Sequence, residues 1–317
     1  MSFDYEDINL IPKLCIVNSR NDCDTSVKFG NHIFNLPVVP ANMECVINLE
    51  LAKKLAKNNY FYIMHRFDVN VVDFCNAMID ENLYTSISIG VNADSYAEID
   101  KLKLNNIQPD YITIDIAHGH SIKMRGIIQY IKTHLPDTFI IAGNVSTPEA
   151  VQDLESWGAH AIKVGIGPGS ACTTYNATGF GSRGAQAYVV ESCAKVATTA
   201  KIIADGGISH AGDIAKSLVL GASVVMIGGM FSGLTDSPGN TVQGADGKLY
   251  KEFWGSASAH QSNKKNRIEG TKKLILLKLH GIMEEMKFLE ECLQSAISYG
   301  GGNTLDSLKD VRYFVKN

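Results

Sequence analysis

The feature that most constrains this chain is an alternation running from residue 36 to residue 229. A short apolar run rich in β-branched residues ends in Gly, Asn, Asp or His, and an amphipathic helical stretch follows. The runs fall at 36–39, 60–64, 86–89, 111–114, 139–142, 161–164, 202–204 and 224–227, eight in all. Helical spacing is clearest at 49–58, 69–82, 147–157 and 211–220. Apolar strands separated by helical crossovers form a parallel sheet, since only a connection of that length returns the chain to run in the same direction. Eight such units close most simply into a single α/β domain, a (β/α)8 TIM barrel. An open doubly wound sheet is the alternative that the pattern by itself leaves standing. The 317 residues suffice for one barrel spanning 1–317, and no linker, low-complexity tract or repeat beyond the βα unit divides it.

Two stretches break the alternation. After the sixth run, residues 165–184 are rich in Gly, Ser and Thr. After the eighth, about fifty residues pass before a helix at 282–299, whose Ile282, Met286, Leu289, Leu293 and Ile297 fall on one face. The insert between, 230–280, contains Asp246-Gly247, a hairpin-turn pair, and a polar run at 262–267 with little reason to be buried. Barrel enzymes carry their chemistry on loops at the C-terminal strand ends, so a long polar insert there reads as a mobile flap.

Composition narrows the partners. Hydrophobic residues make up 45 % and charged residues 20 %, enough for a core without staples. A net charge of −4 gives no electrostatic case for nucleic acid. The seven cysteines are widely spaced, odd in number and without a Cys-x-x-Cys, which argues against a disulfide framework and a zinc site and for a reducing, cytoplasmic setting. The acidic start lacks the basic and apolar segments of a signal peptide, and no run approaches the ~20 apolar residues that span a bilayer, so no membrane partner is expected.

The most informative segment is Gly165-Ile166-Gly167-Pro168-Gly169-Ser170-Ala171-Cys172-Thr173-Thr174. Three glycines in five residues after a strand make a tight loop whose backbone can approach a ligand or ion. A lone cysteine is usually a small buried hydrophobe, and the other six read that way. Cys172, in polar and glycine-rich surroundings, reads as a reactive nucleophile. Asp205-Gly206-Gly207 closes the seventh run and Gly228-Gly229 the eighth, the two loops where barrels commonly bind phosphate through backbone N–H groups. At the end of the fourth run, Asp115 is a functional candidate or a helix cap, while His118-Gly119-His120 lacks the companion ligands a metal needs. Lys163, inside the sixth run, is open to two readings, a Schiff-base nucleophile or an ion pair at the barrel mouth. Glu269 follows a basic run and looks solvated.

These segments together resemble the IMP dehydrogenase and GMP reductase family, over essentially the whole chain. Phe3-Asp4-Tyr5-Glu6-Asp7-Ile8-Asn9-Leu10-Ile11-Pro12 is similar to its N-terminal arm, and Pro37-Val38-Val39-Pro40-Ala41-Asn42-Met43 to its first strand. The Gly-Ile-Gly-Pro-Gly-Ser-x-Cys-Thr-Thr loop is similar to its cysteine loop, and Ala204–Ile208 and Gly228-Gly229-Met230 to its nucleotide phosphate loops. Within the family the chain looks like the compact bacterial reductase branch. Met64-His65-Arg66 runs straight on with no room for a CBS-domain pair. Residues 230–280 contain no Arg-Tyr, the pair that dehydrogenases carry in the flap, and Phe253-Trp254-Gly255-Ser256-Ala257-Ser258 and 294–302 match the reductases.

The resemblance implies a reaction: the Cys172 thiolate attacks C2 of GMP, ammonia leaves, NADPH reduces the resulting thioimidate, and IMP is released. It gives Thr174 and Glu269 the proton transfer. It places the nucleotide on Ser170, Asp205, Gly206, Gly207, Gly228, Gly229, Ser256, Ala257, Ser258, Arg267 and Gly270. It places the cofactor on Arg66, Asp115, Ile116, Ala117, Gly165 and Gly300, and K+ on the carbonyls of Gly167, Gly169 and Cys172. A homotetramer is implied. The chain departs from the family at Tyr175, where Arg usually follows Cys-Thr-Thr, which bears on loop detail and the cation. An IMP dehydrogenase without its regulatory domains and a Schiff-base aldolase on Lys163 are the competing expectations.

Overall fold

The computed structural model describes residues 2–262 and 268–316. Seven strands form one parallel sheet: β1 (Val38–Pro40), β2 (Ser86–Ile89), β3 (Tyr111–Asp115), β4 (Phe139–Val145), β5 (Ala161–Val164), β6 (Lys201–Asp205) and β7 (Val224–Ile227). Their spatial order is β1-β7-β6-β5-β4-β3-β2, and every neighbouring pair is parallel. The strands are almost wholly buried on both faces, which is why they read as continuous apolar runs. The crossovers carry α1 (Leu49–Lys57), α2 (Val71–Ile79), α3 (Ala93–Leu104), α4 (Ile122–His134), α5 (Pro148–Trp157), α6 (Thr174–Thr178), α7 (Gln186–Ala194) and α8 (Ala211–Val219).

Seven strands, not eight, are formed among the described residues, and the difference falls on residues 60–64. That run is buried and lies against the start of β2, where Met64 N–H donates to the Ser86 carbonyl at 3.1 Å. Two tyrosines take the place of the rest of the ladder. Tyr62 N–H donates to the Tyr84 hydroxyl (3.1 Å), which donates to the Tyr60 carbonyl (2.7 Å). Ser86 N–H donates to the Tyr62 hydroxyl (3.1 Å), which donates to the Tyr84 carbonyl (2.8 Å). Tyr62 N–H and the Tyr60 carbonyl are thus satisfied by side chains and not by a strand partner, so an apolar run is present with no regular strand.

Local signals place the helices well. α5 begins after Thr147, whose side chain accepts from Ala150 N–H, has Pro148 in its first turn and ends at Gly158 with φ +110°. α2 is shorter than the 69–82 periodicity implies: Asn70 caps its start through Val72 and Asp73 N–H, and Asn82, at φ +55°, lies outside the helical region. A small hairpin absent from the sequence reading, Val27–Phe29 paired with His32–Phe34, closes the N-terminal end of the sheet. Its Phe29 and Phe34 pack with Phe61, Tyr111 and Phe139, and the Tyr111 hydroxyl donates to the Phe29 carbonyl at 2.6 Å. Each such buried ring contributes roughly 1.5–3 kcal/mol.

Beyond β7 come α9 (Gly229–Ser232) and an antiparallel sheet of β8 (Thr241–Gln243), β9 (Leu249–Trp254) and β10 (Lys272–Leu276), with α10 (Ala259–Ser262) between the last two strands. The expected hairpin turn is at Asp246-Gly247, with Gly247 at φ +79°. α11 (Ile282–Tyr299) buries the anticipated Ile282, Met286, Leu289, Leu293 and Ile297 and packs on α8. Among the described residues no helix is long and apolar enough to cross a membrane.

Candidate active site

Parallel strands deliver their C-terminal residues to one end of the sheet, so Pro40, Ile89, Asp115, Val145, Val164, Asp205 and Ile227 share a rim. The cysteine loop leaves it at Gly165, at φ +143°, where a Cβ would stand 2.2 Å from the Asp205 carbonyl. Only glycine fits there. Cys172 N–H donates back to the Gly169 carbonyl at 3.0 Å, and α6 starts two residues later.

Cys172 Sγ lies 3.2 Å from Thr174 Oγ1, and Thr174 Oγ1 donates to Glu269 Oε2 at 2.7 Å. The Glu269 carbonyl is 3.6 Å from the same sulfur. The backbone supports this line of atoms. Thr173 N–H donates to the Glu269 carbonyl (2.9 Å) and Thr271 N–H to the Ala171 carbonyl (2.8 Å), and Cys172 pairs with Gly270. Glu269 N–H in turn donates to the Ala257 carbonyl at 3.0 Å, and Gly270 also bridges to Ser258. A thiol, a hydroxyl and a carboxylate in series can pass a proton. Glu269, which looked solvated in sequence, is thus drawn onto the cysteine loop.

Cys172 is half-buried, as is Cys292, while Cys15 is exposed. The expectation that the other six cysteines are buried therefore holds for Cys23, Cys45, Cys75 and Cys193 only.

The glycine pairs flank this loop. Gly206 and Gly207 take φ +86° and +80°, and a Cβ on Gly206 would stand 3.0 Å from Pro168 Cγ and 3.3 Å from Gly169 N. Gly228 precedes α9, and a Cβ there would meet Ala41, Met43 and Phe253 at 3.5 Å, while a Cβ built on Gly229 would point into open space. Ser170 is exposed on the cysteine loop; Ser256 and Ala257 are half-buried, and Ser258 is buried. Arg267 lies outside the described residues.

Beneath the rim is a charged network. Lys163, 2 % exposed, places Nζ 3.0 Å from Asp115 Oδ1 and 3.3 Å from Asp205 Oδ2. Asn42 Nδ2 donates to Asp115 Oδ2 (3.2 Å) and Ser88 Oγ (3.1 Å), and Asn144 Nδ2 to Asp205 Oδ2 and the Gly165 carbonyl, both at 2.7 Å. Burial pushes the Asp115 carboxyl up, but the charge and hydrogen bond of Lys163, with Arg66 and Asn42, outweigh it and hold Asp115 below its ordinary value. Burial likewise pushes the Lys163 ammonium down, and the two carboxylates outweigh it and raise it. A lysine held as its cation has no lone pair for a Schiff base, so the aldolase expectation gives way to the ion-pair reading.

Ile116 and Ala117 continue β3 along the rim, where Ile116 N–H donates to the Gly143 carbonyl (3.0 Å) and its carbonyl accepts from Asn144 N–H (2.9 Å). Arg66 is exposed, close enough to stabilise Asp115 electrostatically, and its guanidinium stands 4.9 Å over the Phe67 ring. Gly300 is not brought to this end. α11 starts beside Met230, just past β7, and its 18 residues carry the chain ~27 Å away, where Gly300 neighbours Ile297, Ser307 and Leu308. His120 is paired with Asp153 (2.7 Å), and among the described residues no group of three or more His, Cys, Asp or Glu could hold a metal. Sequence reasoning passed over Asn42, Asn144 and Gln186. Asn42 lies just past β1 and Asn144 near the end of β4, so strand-end position was the signal for both, while Gln186, whose Nε2 donates to the Val164 and Asp205 carbonyls, opens α7.

Comparison with known proteins decides the lineage. The model of the IMP dehydrogenase / GMP reductase domain matches residues 2–317. The chain belongs to this family. Among its relatives, a protein named GMP reductase from Bacillus licheniformis is 55 % identical across 99 % of this chain and 96 % of its own length. Proteins of the same name from Bacillus subtilis and Mesoplasma florum are 53 % and 52 % identical, each over 99 % of this chain and over 96 % and 98 % of their own lengths. The Cys172 loop and the Asp205 and Gly228 turns thus stand in an IMP dehydrogenase/GMP reductase domain that covers the chain almost end to end.

Proposed function

We propose that this chain is a GMP reductase, converting GMP to IMP and ammonia with NADPH as reductant. The observation that carries the reading is the line from Cys172 Sγ through Thr174 Oγ1 to Glu269 Oε2, formed at the rim beside the Asp205 and Gly228 turns. The chemistry follows from it. The Cys172 thiolate adds to C2 of the purine, forming a C–S bond. The exocyclic amine takes up a proton, which Glu269 and Thr174 hold at Oγ1, and leaves as ammonia, so that C2 stays bonded to sulfur as a thioimidate. NADPH, when bound, supplies the hydride that C2 receives. The C–S bond then breaks, the electron pair returns to Cys172, and IMP departs with hydrogen at C2.

Gly206, Gly207, Gly228 and Gly229 would hold the phosphate through backbone N–H groups, and Asp205 and Ser170 the sugar. Ser256, Ala257, Ser258 and Gly270, with Arg267, would hold the base. Arg66, Asp115, Ile116, Ala117 and Gly165 would hold the cofactor. Asn144 Oδ1, buried beside them and without a partner among the described residues, fits a ligand that brings an N–H or O–H donor. The carbonyls of Gly167, Gly169 and Cys172 suit K+. They are neutral oxygens on a loop with open space at Gly169, where nothing lies within 4 Å of a would-be Cβ. Residues 60–64 complete an eighth stave of a single closed (β/α)8 barrel, and the insert around 230–280 serves as a flap bearing Glu269. A cytoplasmic homotetramer fits the family resemblance and the free thiols.

The test is absorbance at the nicotinamide band with GMP and then IMP. NADPH oxidation that requires GMP and releases ammonia is expected, and Cys172→Ala should abolish it while IMP still binds. GMP-dependent turnover in that variant would refute the covalent step, and NAD reduction on IMP would make the chain a dehydrogenase.

A further inference from the structure

Lys163 carries a buried charge that the chemistry above leaves without a role. Its ammonium has three N–H donors, and three acceptors surround it: Asp115 Oδ1 at 3.0 Å, Asp205 Oδ2 at 3.3 Å and Asn42 Oδ1 at 3.3 Å. No donor is left over for a ligand. Each carboxylate is held a second time by an amide, Asp115 by Asn42 and Asp205 by Asn144. Gly143 makes the room, since a Cβ there would stand 2.6 Å from Lys163 Cβ. Both carboxylates touch one ammonium and are therefore close to each other. Without the cation they would repel, with the exposed Arg66, which faces Asp115, left as the remaining positive charge, and one would keep its proton to higher pH.

We propose that Lys163 is a positioning residue shared by the two halves of the site, bridging the carboxylates of Asp115 and Asp205 and fixing them together. The nucleotide side and the cofactor side of the rim are then set by a single ammonium. This rests on reading Asp205 as a nucleotide ligand and Asp115 as a cofactor ligand. A carboxylate that must accept from ligand hydroxyls or amides loses that ability once protonated. Removing the cation therefore does more than loosen packing, because it makes both halves of the site sensitive to pH.

Lys163→Met removes the charge and keeps an unbranched side chain one atom shorter. Taken as a ratio to the wild type at each pH, its kcat/KM for GMP should be down at least about tenfold at pH 7 and recover as the pH is raised toward 9, an acid limb in that ratio. The dissociation constant of IMP, measured by calorimetry without cofactor, should rise along the same limb, relative to the wild type. Lys163→Gln, which leaves a neutral donor in the cavity, should show the same limb and decides the matter if the methionine variant does not fold. A uniform loss with the wild-type pH profile, or no loss, in the variant that folds would overturn the proposal. Failure of the wild type itself to oxidise NADPH with GMP would sink the functional reading instead, and the calorimetric limb would still judge Lys163.

Discussion

Burial pushes the Cys45 thiol up to about 11 and the Cys75 and Cys193 thiols up to about 12, while Cys172 is held half-open against Thr174 and Cys15 is exposed. Iodoacetamide should therefore modify Cys15 and Cys172 well before those three, as read by peptide mass spectrometry. Saturating IMP should slow modification of Cys172 and leave Cys15 unchanged; equal protection of both would place the nucleotide elsewhere. Thr174→Val keeps the shape of the side chain and breaks the line to Glu269. It should lower kcat by roughly 10²–10⁴ with a small change in KM for GMP, and a loss below threefold would remove Thr174 from the proton path. Residues differ in how much of this the sequence disclosed. Cys172 announced itself through its glycines. Glu269 was named by resemblance alone, because its partner is 95 positions away and its neighbours in sequence are basic. Lys163 stood out as a charge inside an apolar strand, but the acids that decide its chemistry come from other strands.

Among the elements, the joint between residues 60–64 and β2 shows what periodicity omits. An apolar run marks a buried segment, but whether its N–H groups meet carbonyls or tyrosine hydroxyls depends on the neighbour. Tyr84→Phe would strand the Tyr62 N–H and the Tyr60 carbonyl in the interior. It should lower stability by roughly 2–4 kcal/mol in urea unfolding, with activity near wild type while folded. Glu155, in α5, gives a pH-dependent case. Burial pushes its carboxyl up, but the backbone N–H groups of Thr198, Thr199 and Ala200 and the Thr199 hydroxyl outweigh it and hold it down at about 2. An unfolded glutamate titrates near 4.3. The stabilisation is thus present above that value and lost as the pH falls toward about 2. Glu155→Gln should be less stable by about 1 kcal/mol at pH 7, a modest figure because solvent screens the group, and the gap in Tm should shrink steadily below pH 4.5. A gap independent of pH would assign the effect to packing.

The whole molecule was legible because its signal is repeated. Seven βα units carry the same strand-then-helix pattern, so an error in one leaves the architecture intact. The region after β7 was legible only as a turn and a helix, since β9 and β10 pair across a break of 17 residues whose register no local pattern announces. Occupancy of the proposed site should be felt by the entire fold. At a hundred times its Kd, IMP should add about 2.7 kcal/mol to the unfolding free energy, raising Tm in step with the logarithm of its concentration. No shift at any concentration would mean that the native state does not bind it.

The short backbone ladder joining 171–173 to 269–271 has one more consequence. Sulfur, hydroxyl and acid are fastened by the same few backbone hydrogen bonds, so they are armed and disarmed as a set. If that ladder opens, the thiol loses its proton donor in the same event that bares it, and no half-assembled catalyst with a competent acid but a misplaced sulfur is left to waste reductant.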